Sequence, residues 1–358
     1  MKISNFLLSI FLLSVIFVSC TNDDDDVQEP KGAYENGILI SGEGGPSGSI
    51  YYVSNDFSTT ESLIYKKVNN NDLGVYLQSM AFDNENAYIV VDNQNTITVV
   101  NRYTFEKVGE ITTDLKKPRY MAIAGDKGYV TNWAEGAYGA DVDDDYIAVV
   151  DLNTFEVTKT ISVGNGPERI VANNGKLYVS HKGAYTTNNI ITVIDIASET
   201  TTEITVKDNP DELFFDNAGN LVVLCEGLTL SYNPDWTANE KTPVSITKIS
   251  TVSNNIISEL IFENGQFPSL LTFDGSYFYY NLGSKIYKVA SDASTLPTTE
   301  FLDAAATNLY GIEVNDSYLF LLDASFTAQS KLDVYSSNTK EKINSFAAPI
   351  GASKVYFN

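Results

Sequence analysis

Few side chains in this 358-residue chain are suited to chemistry, and their spacing limits what they can do. The single histidine, His181, opens the stretch HKGAYTTNN directly after the apolar run LYVS. One histidine and at most one spare cysteine cannot fill a zinc site of the His/Cys type. No serine or cysteine stands with His181 in a local signature for nucleophilic catalysis. The glycine-rich SGEGGPSG at 41–48 lacks the lysine of a phosphate loop and reads as a flexible connection. Asp141, Asp143 and Asp145 offer hard oxygen ligands of the kind Ca²⁺ takes, but without the glycine and terminal glutamate of an EF-hand. A solvated acidic loop is the expectation there. Chemistry at a reacting centre is therefore weakly signalled, and attention passes to what could hold a ligand.

Two cysteines occur. Cys225 lies inside the apolar LVVLCEG and is expected to be a buried strand residue with no disulfide partner. Cys20 ends an apolar run from Phe6 to Val18 that follows a single charge, Lys2. That run falls short of the roughly 20 apolar residues a spanning helix needs and has the order of a secretory signal. Val18-Ser19-Cys20 resembles the lipobox of bacterial lipoproteins, which implies a diacylated Cys20 at the head of the mature chain. The aspartates at 23–26 start a polar stretch unable to bury apolar area, expected to act as a disordered tether. They also resemble the acidic export signal of surface-exposed lipoproteins of the Bacteroidota, which implies an anchor on the extracellular side of the outer membrane. The expected organisation is a signal peptide over 1–19, a tether over 20–34 and a folded body over 35–358. Nothing after residue 20 is long and apolar enough to span a bilayer.

Acidic side chains number 46 against 23 basic ones, a formal charge of −23, which repels phosphate backbones and disfavours nucleic-acid binding. A hydrophobic content of 43% suffices for a core. Segments beginning at Asn95, Asp145 and Asn189 line up with one another at a period of about 40 residues. Each holds four short apolar or alternating runs separated by Gly, Asn, Asp or Pro, and helical periodicity is absent. Four strands per unit at this period predict the blades of a β-propeller. Inner strands are expected near Leu77–Phe82, Tyr120–Ile123, Arg169–Ala172, Glu212–Phe215, Ser269–Phe273, Leu309–Glu313 and Ser353–Phe357. The seventh has nothing after it, so Ile38–Ser41, Ser49–Val53 and Ser62–Lys66 from the N-terminal side should complete its blade. The predicted fold is all-β, a seven-bladed propeller closed by both termini.

Tyr129-Val130-Thr131-Asn132, Val149-Val150-Asp151 and Val163-Gly164-Asn165-Gly166-Pro167 resemble the YVTN repeat of YncE-like propellers. The motif terminates strands and makes turns, so it specifies fold and not function. Topology sorts the loops onto two faces. Loops between second and third strands share a face with the links between blades, and that face receives the long, aromatic and charged segments. The candidate ligand face is Arg119, Tyr120, Trp133, Tyr138, Arg169, His181, Tyr185, Trp236, Phe267 and Tyr310, with rings for apolar contact and guanidinium forks for hydrogen bonding. Surface lipoproteins with this repeat resemble BtuG-type cobalamin-binding partners of TonB-dependent transporters and related siderophore-binding proteins. That resemblance implies non-enzymatic capture of a nutrient. Two other readings stay open. One is a lactonase- or cyclase-like enzyme, for which Glu168, Arg169, Asp211, Glu212 and His181 are the candidates; the other is a protein-interaction or adhesion module.

Overall fold

The computed structural model describes residues 30–137, 140–315 and 317–358. Cys20, the aspartates at 23–26, Tyr138 and the side chain of Asp141 lie outside the described residues. Alternating apolar residues punctuated by turns give seven antiparallel four-stranded sheets. Their inner strands are Leu77–Phe82 (blade 1), Pro118–Ala124 (blade 2), Pro167–Asn173 (blade 3), Pro210–Phe215 (blade 4), Leu271–Phe273 (blade 5), Leu309–Val314 (blade 6) and Ala352–Phe357 (blade 7). All seven fall at the positions expected from the repeats. Among the described residues no helix is long and apolar enough to cross a membrane.

The second strand of each blade carries the core. In Asn86–Val91, Tyr88 and Val90 point into the seam between blades 1 and 2, while Ala87, Ile89 and Val91 point into the seam between blades 7 and 1. Leu221, Val223 and Cys225 likewise enter the seam toward blade 3, and Val222 and Leu224 the seam toward blade 5. A period of two thus feeds two interfaces at once, which is why these strands are continuously apolar. Seven hydrophobic clusters result, one in each seam around the ring. Cys225 is fully buried in one of them, and burial pushes its thiol up to about 12, so it is an inert packing residue.

Blade 7 closes the ring as expected. Ala352–Phe357 pairs antiparallel with Gly37–Gly42, with Ile38 opposite Phe357 and Ser41 opposite Lys354. Ser49–Ser54 follows, but the outer strand differs from the expectation at Ser62–Lys66. It is only Thr60–Glu61, and Ile64–Asn69 is a short helix. Here the chain must turn inward to begin blade 1, and Ile64 and Tyr65 plug the seam between blades 7 and 1. Burial of those two side chains, rather than strand pairing, decides the local structure. The Asn69 side chain bridges this helix to blade 1, donating to the Phe105 carbonyl and accepting from the Lys107 N–H.

Two inserts leave the sheets as small ribbons on the loop-rich face. Gly136–Ala137 pairs with Ala140–Asp141, and Thr229–Tyr232 pairs with Ala238–Lys241.

Candidate functional site

The mouth of the ring is a cavity of about 480 Å³ to which every blade contributes. The inner strands aim residues into it by a shared device. Pairing with the second strand skips between Pro118 and Met121, between Pro167 and Ile170, and between Pro210 and Leu213. The skipped residues are Arg119-Tyr120, Glu168-Arg169 and Asp211-Glu212. Shorter skips release Gln78 in blade 1, Tyr310 in blade 6 and Ser353 in blade 7. A bulge locally frees a strand from its pleat and re-aims its side chains, here toward the axis. Each of these residues lines the cavity. A second set comes from positions just past the second strands: Glu43, Asp92, Lys182 and Glu226.

These charges form ladders that tie consecutive blades together. Arg119 takes Glu168 with two parallel hydrogen bonds, Nε to Oε2 at 3.1 Å and Nη2 to Oε1 at 3.0 Å, and Asp92 through Nη1 at 2.7 Å. Its guanidinium lies 3.8 Å from the centre of the Trp133 ring. Arg169 donates from Nε to Asp211 at 2.9 Å and from Nη2 to Glu212, and stacks 4.6 Å from the Tyr120 centroid. Lys182 Nζ reaches Asp211 at 2.6 Å and Glu226 at 3.1 Å. Blades 1 to 4 are stapled in this way. Burial pushes Asp211 upward, but Lys182 and Arg169 outweigh it and hold its carboxyl well below the usual range. For Glu212 and Glu226 burial wins, against Arg169 and Lys182 respectively, and both carboxyls sit above their ordinary value.

The opposite wall is neutral, with Ser269, Leu270, Leu309 and Tyr310 from blades 5 and 6. The cup therefore has a charged half-ring rich in acceptors and fixed cations, and a half-ring suited to apolar contact.

The residues expected on the ligand face divide. Arg119, Tyr120, Arg169 and Tyr310 meet in the cup. Trp133 lies behind Arg119, donating from Nε1 to the Pro167 carbonyl at 3.0 Å. Tyr185 packs against Trp133 and accepts a hydrogen bond from Lys117. Phe267 packs into the seam between blades 4 and 5 and borders a separate groove beside Lys241. Trp236 is 81% exposed, away from the cup on the second ribbon, where it meets Tyr232. Asp143 is exposed, whereas Asp145 is buried and accepts the Gly166 N–H at 2.6 Å. Among the described residues no group of three His, Cys, Asp or Glu side chains is arranged to hold a metal ion.

His181 is corrected outright as a face residue. It ends the second strand of blade 3 and is fully buried. Its Nδ1 lies 3.1 Å from the Asn165 carbonyl, which can only accept, so Nδ1 carries the hydrogen. Nε2 then accepts from the Thr192 hydroxyl at 2.8 Å. The next residue, Lys182, points into the cup instead. Sequence reasoning missed it, together with Glu43, Tyr76, Gln78, Asp92, Glu226 and Lys354. For Lys182, Glu43, Asp92 and Glu226 the available signal was positional, since aligning strand ends across blades marks the residue after each second strand.

Lys182 is held by a close approach between two loops. Its N–H donates to the Gly166 carbonyl at 2.9 Å. Gly166 has φ +64°, and an added Cβ would stand 2.2 Å from the Ala184 nitrogen and 2.3 Å from Gly183 backbone atoms. Gly166→Ala is expected to cost about 3 kcal/mol or more, from left-handed strain plus a backbone clash. Urea unfolding measures this. A loss below about 0.5 kcal/mol, the level of an ordinary surface substitution, would contradict the packing described.

Several solved propellers share the fold. The dihydro-heme d1 dehydrogenase NirN in complex with DHE superposes with a TM-score of 0.59 at 12% identity, covering 92% of this chain and 77% of its own. Apo AztD from Citrobacter koseri gives 0.56 at 8% identity, with 89% and 96% covered. Kuenenia stuttgartiensis hydrazine synthase gives 0.54 at 16% identity, with 75% and 85% covered. At these identities the likeness concerns the fold alone. No curated protein matches the sequence. A family model does match, over residues 36–348, the whole ring but for its final strand: the chain belongs to the family described as Domain of unknown function (DUF5074).

Proposed function

We propose that this protein captures a ligand, without transforming it, in the cup at the mouth of its ring. One observation carries the reading: a cavity of about 480 Å³, within the range of small-molecule sites, lined from all seven blades, in which the charges from blades 1 to 4 are already held in place by one another. Side chains fixed in this way need little reorganisation on binding. A cup of this size takes a small molecule whole, or one arm of a larger ligand such as a siderophore or cobalamin whose remainder lies across the rim. NirN, a propeller of the same shape, was solved with DHE bound, which fits a ring that carries a small molecule. Burial of His181 between strands favours capture over a lactonase- or cyclase-like mechanism, since the one histidine does not reach the cup. We extend the proposal to placement. Acylation at Cys20 and the aspartates at 23–26 would hold the ring on the outer face of the outer membrane, where a TonB-dependent transporter could receive the ligand.

The test is calorimetry of the purified protein against cobalamin, haem, a ferric siderophore and small zwitterions. At least one is expected to bind. Ser269→Trp, at an exposed neutral position on the cup wall, should weaken that binding by about tenfold or more, about 1.4 kcal/mol, without changing the melting temperature. Silence from the whole panel, or binding indifferent to Ser269→Trp, would sink the proposal.

A further inference from the structure

The ion pairs of the cup leave two charges over. Arg119 is committed to Asp92 and Glu168, Arg169 to Asp211 and Glu212, and Lys182 to Asp211 and Glu226. Lys354 also lines the cavity, yet among the described residues it forms no ion pair, and its ammonium instead lies 5.6 Å from the Tyr120 ring centroid. Glu43 lines the cavity too and has no lysine or arginine partner among the described residues. Among the described residues its carboxylate accepts only from the Tyr310 hydroxyl, at 3.2 Å. Burial pushes the Glu43 carboxyl upward, with Tyr310, Lys354 and Arg119 pulling it back.

Both residues belong to blade 7. Lys354 stands opposite Ser41 in the strand register, and Glu43 follows directly on the strand Gly37–Gly42. They face one cavity without pairing with each other. Lys354 also borders a smaller space of about 50 Å³, together with Arg169, Glu212 and Glu313, so it stands on the wall that the two spaces share. Beside these two poles lies the neutral wall of Leu270, Leu309 and Tyr310. Among the described residues every other cation of the cup is held in an ion pair, so an incoming anion meets one cation, Lys354, that acts on Glu212, Asp211 and Glu43 only at longer range. An incoming cation has Glu43, the cup carboxylate that forms no ion pair among the described residues. Partly desolvated charges gain most from a ligand that supplies both countercharges together.

We infer that the cup binds a zwitterionic head group of the amino-acid or peptide class, with its carboxylate on Lys354, its ammonium on Glu43 and its apolar body against Leu270, Leu309 and Tyr310. This rests on the capture reading above and specifies the group that enters the cup.

The experiment uses the intact protein and four probe pairs. L-phenylalanine and a phenylalanine-containing dipeptide are each compared with their N-acetyl and C-terminal amide derivatives by calorimetry. A free zwitterion should bind, with each blocked form weaker by about tenfold or more. Lys354→Met should erase the preference over the amide but keep the preference over the N-acetyl form. Glu43→Gln should do the reverse, and Lys354→Arg should retain both. Such charge-matched losses would not follow from general damage to the fold. Failure of both zwitterions to bind, or blocked forms that bind as well as free ones, would overturn the inference. If cobalamin, haem or siderophore then bound with sensitivity to Ser269→Trp, capture would stand and only the zwitterion assignment would fall. If nothing bound, both would fall.

Discussion

Arg169→Met should destabilise the protein by about 3–5 kcal/mol at neutral pH, the cost of removing one partner from a buried ion cluster. Methionine keeps most of the side-chain volume, so lost packing is a minor part. What changes is electrostatic. Arg169 holds Asp211 and Glu212 at once, and both its own side chain and theirs are largely shielded from water. Without it, Lys182 still compensates Asp211, but Glu212 keeps only the longer-range attraction of Lys354, with no cation within pairing distance among the described residues. Glu212 is already pushed upward by burial in the native protein, and more so without its arginine. A carboxyl with a raised folded-state pKa contributes stability at low pH that is lost as pH rises. The deficit of Arg169→Met should therefore shrink as pH falls from 7 toward 5. Urea unfolding at both pH values measures it, and adding Glu212→Gln to the variant should recover part of the loss at pH 7. A loss under about 1 kcal/mol, typical of exposed pairs, would mean that the ladder is solvated and does not staple blades 3 and 4.

His181 predicts an effect of similar size with a different pH signature. Burial lowers its pKa from 6.5 to about 4, with the Asn165 carbonyl opposing the shift. The unfolded chain takes up a proton below pH 6.5, whereas the folded one resists until about pH 4. Stability is thus full above the unfolded value, falls as pH drops through this window and levels off below it. At about 1.36 kcal/mol per pH unit the change amounts to roughly 3 kcal/mol. Raised carboxyls such as Glu43, Glu212, Glu226 and Glu313 act in the opposite sense over part of the same range. The informative quantity is therefore the difference between the native chain and His181→Gln, whose amide can keep one donor and one acceptor. That difference should vary by roughly 3 kcal/mol between pH 7 and pH 4. Parallel stability profiles would show that the imidazole is protonated, or solvated, in the folded state.

Blade number and ring closure were legible because they rest on local chemistry repeated along the chain. Turn residues recur at a fixed interval, and Leu221–Cys225 is apolar throughout because alternate side chains serve different seams. The helix Ile64–Asn69 was not legible, since Ile64, Tyr65 and Val68 suit a strand equally well and only the seam they fill decides between them. In the site, topology alone puts the links carrying Arg119, Glu168, Arg169, Asp211, Glu212 and Tyr310 on one face, and the structure has all six residues lining the cup. His181 and Lys182 mark the limit of that argument. They are adjacent, yet one is buried against Thr192 and the other reaches Asp211 across the cup. Pleat direction at the strand end, together with the approach of Gly166, sets their opposite fates.

By itself, then, the sequence determined the all-β architecture, the seven blades, the closure by both termini and the face on which long loops gather. Those follow from periodicity and turn chemistry, which act between neighbours in the chain. Tertiary structure alone decided the cup. Glu43 and Lys354 come from opposite ends of the chain, and only ring closure puts them on one blade facing one cavity. Whether a charge there is paired or left free depends on what the other blades bring to the axis, which no local pattern encodes.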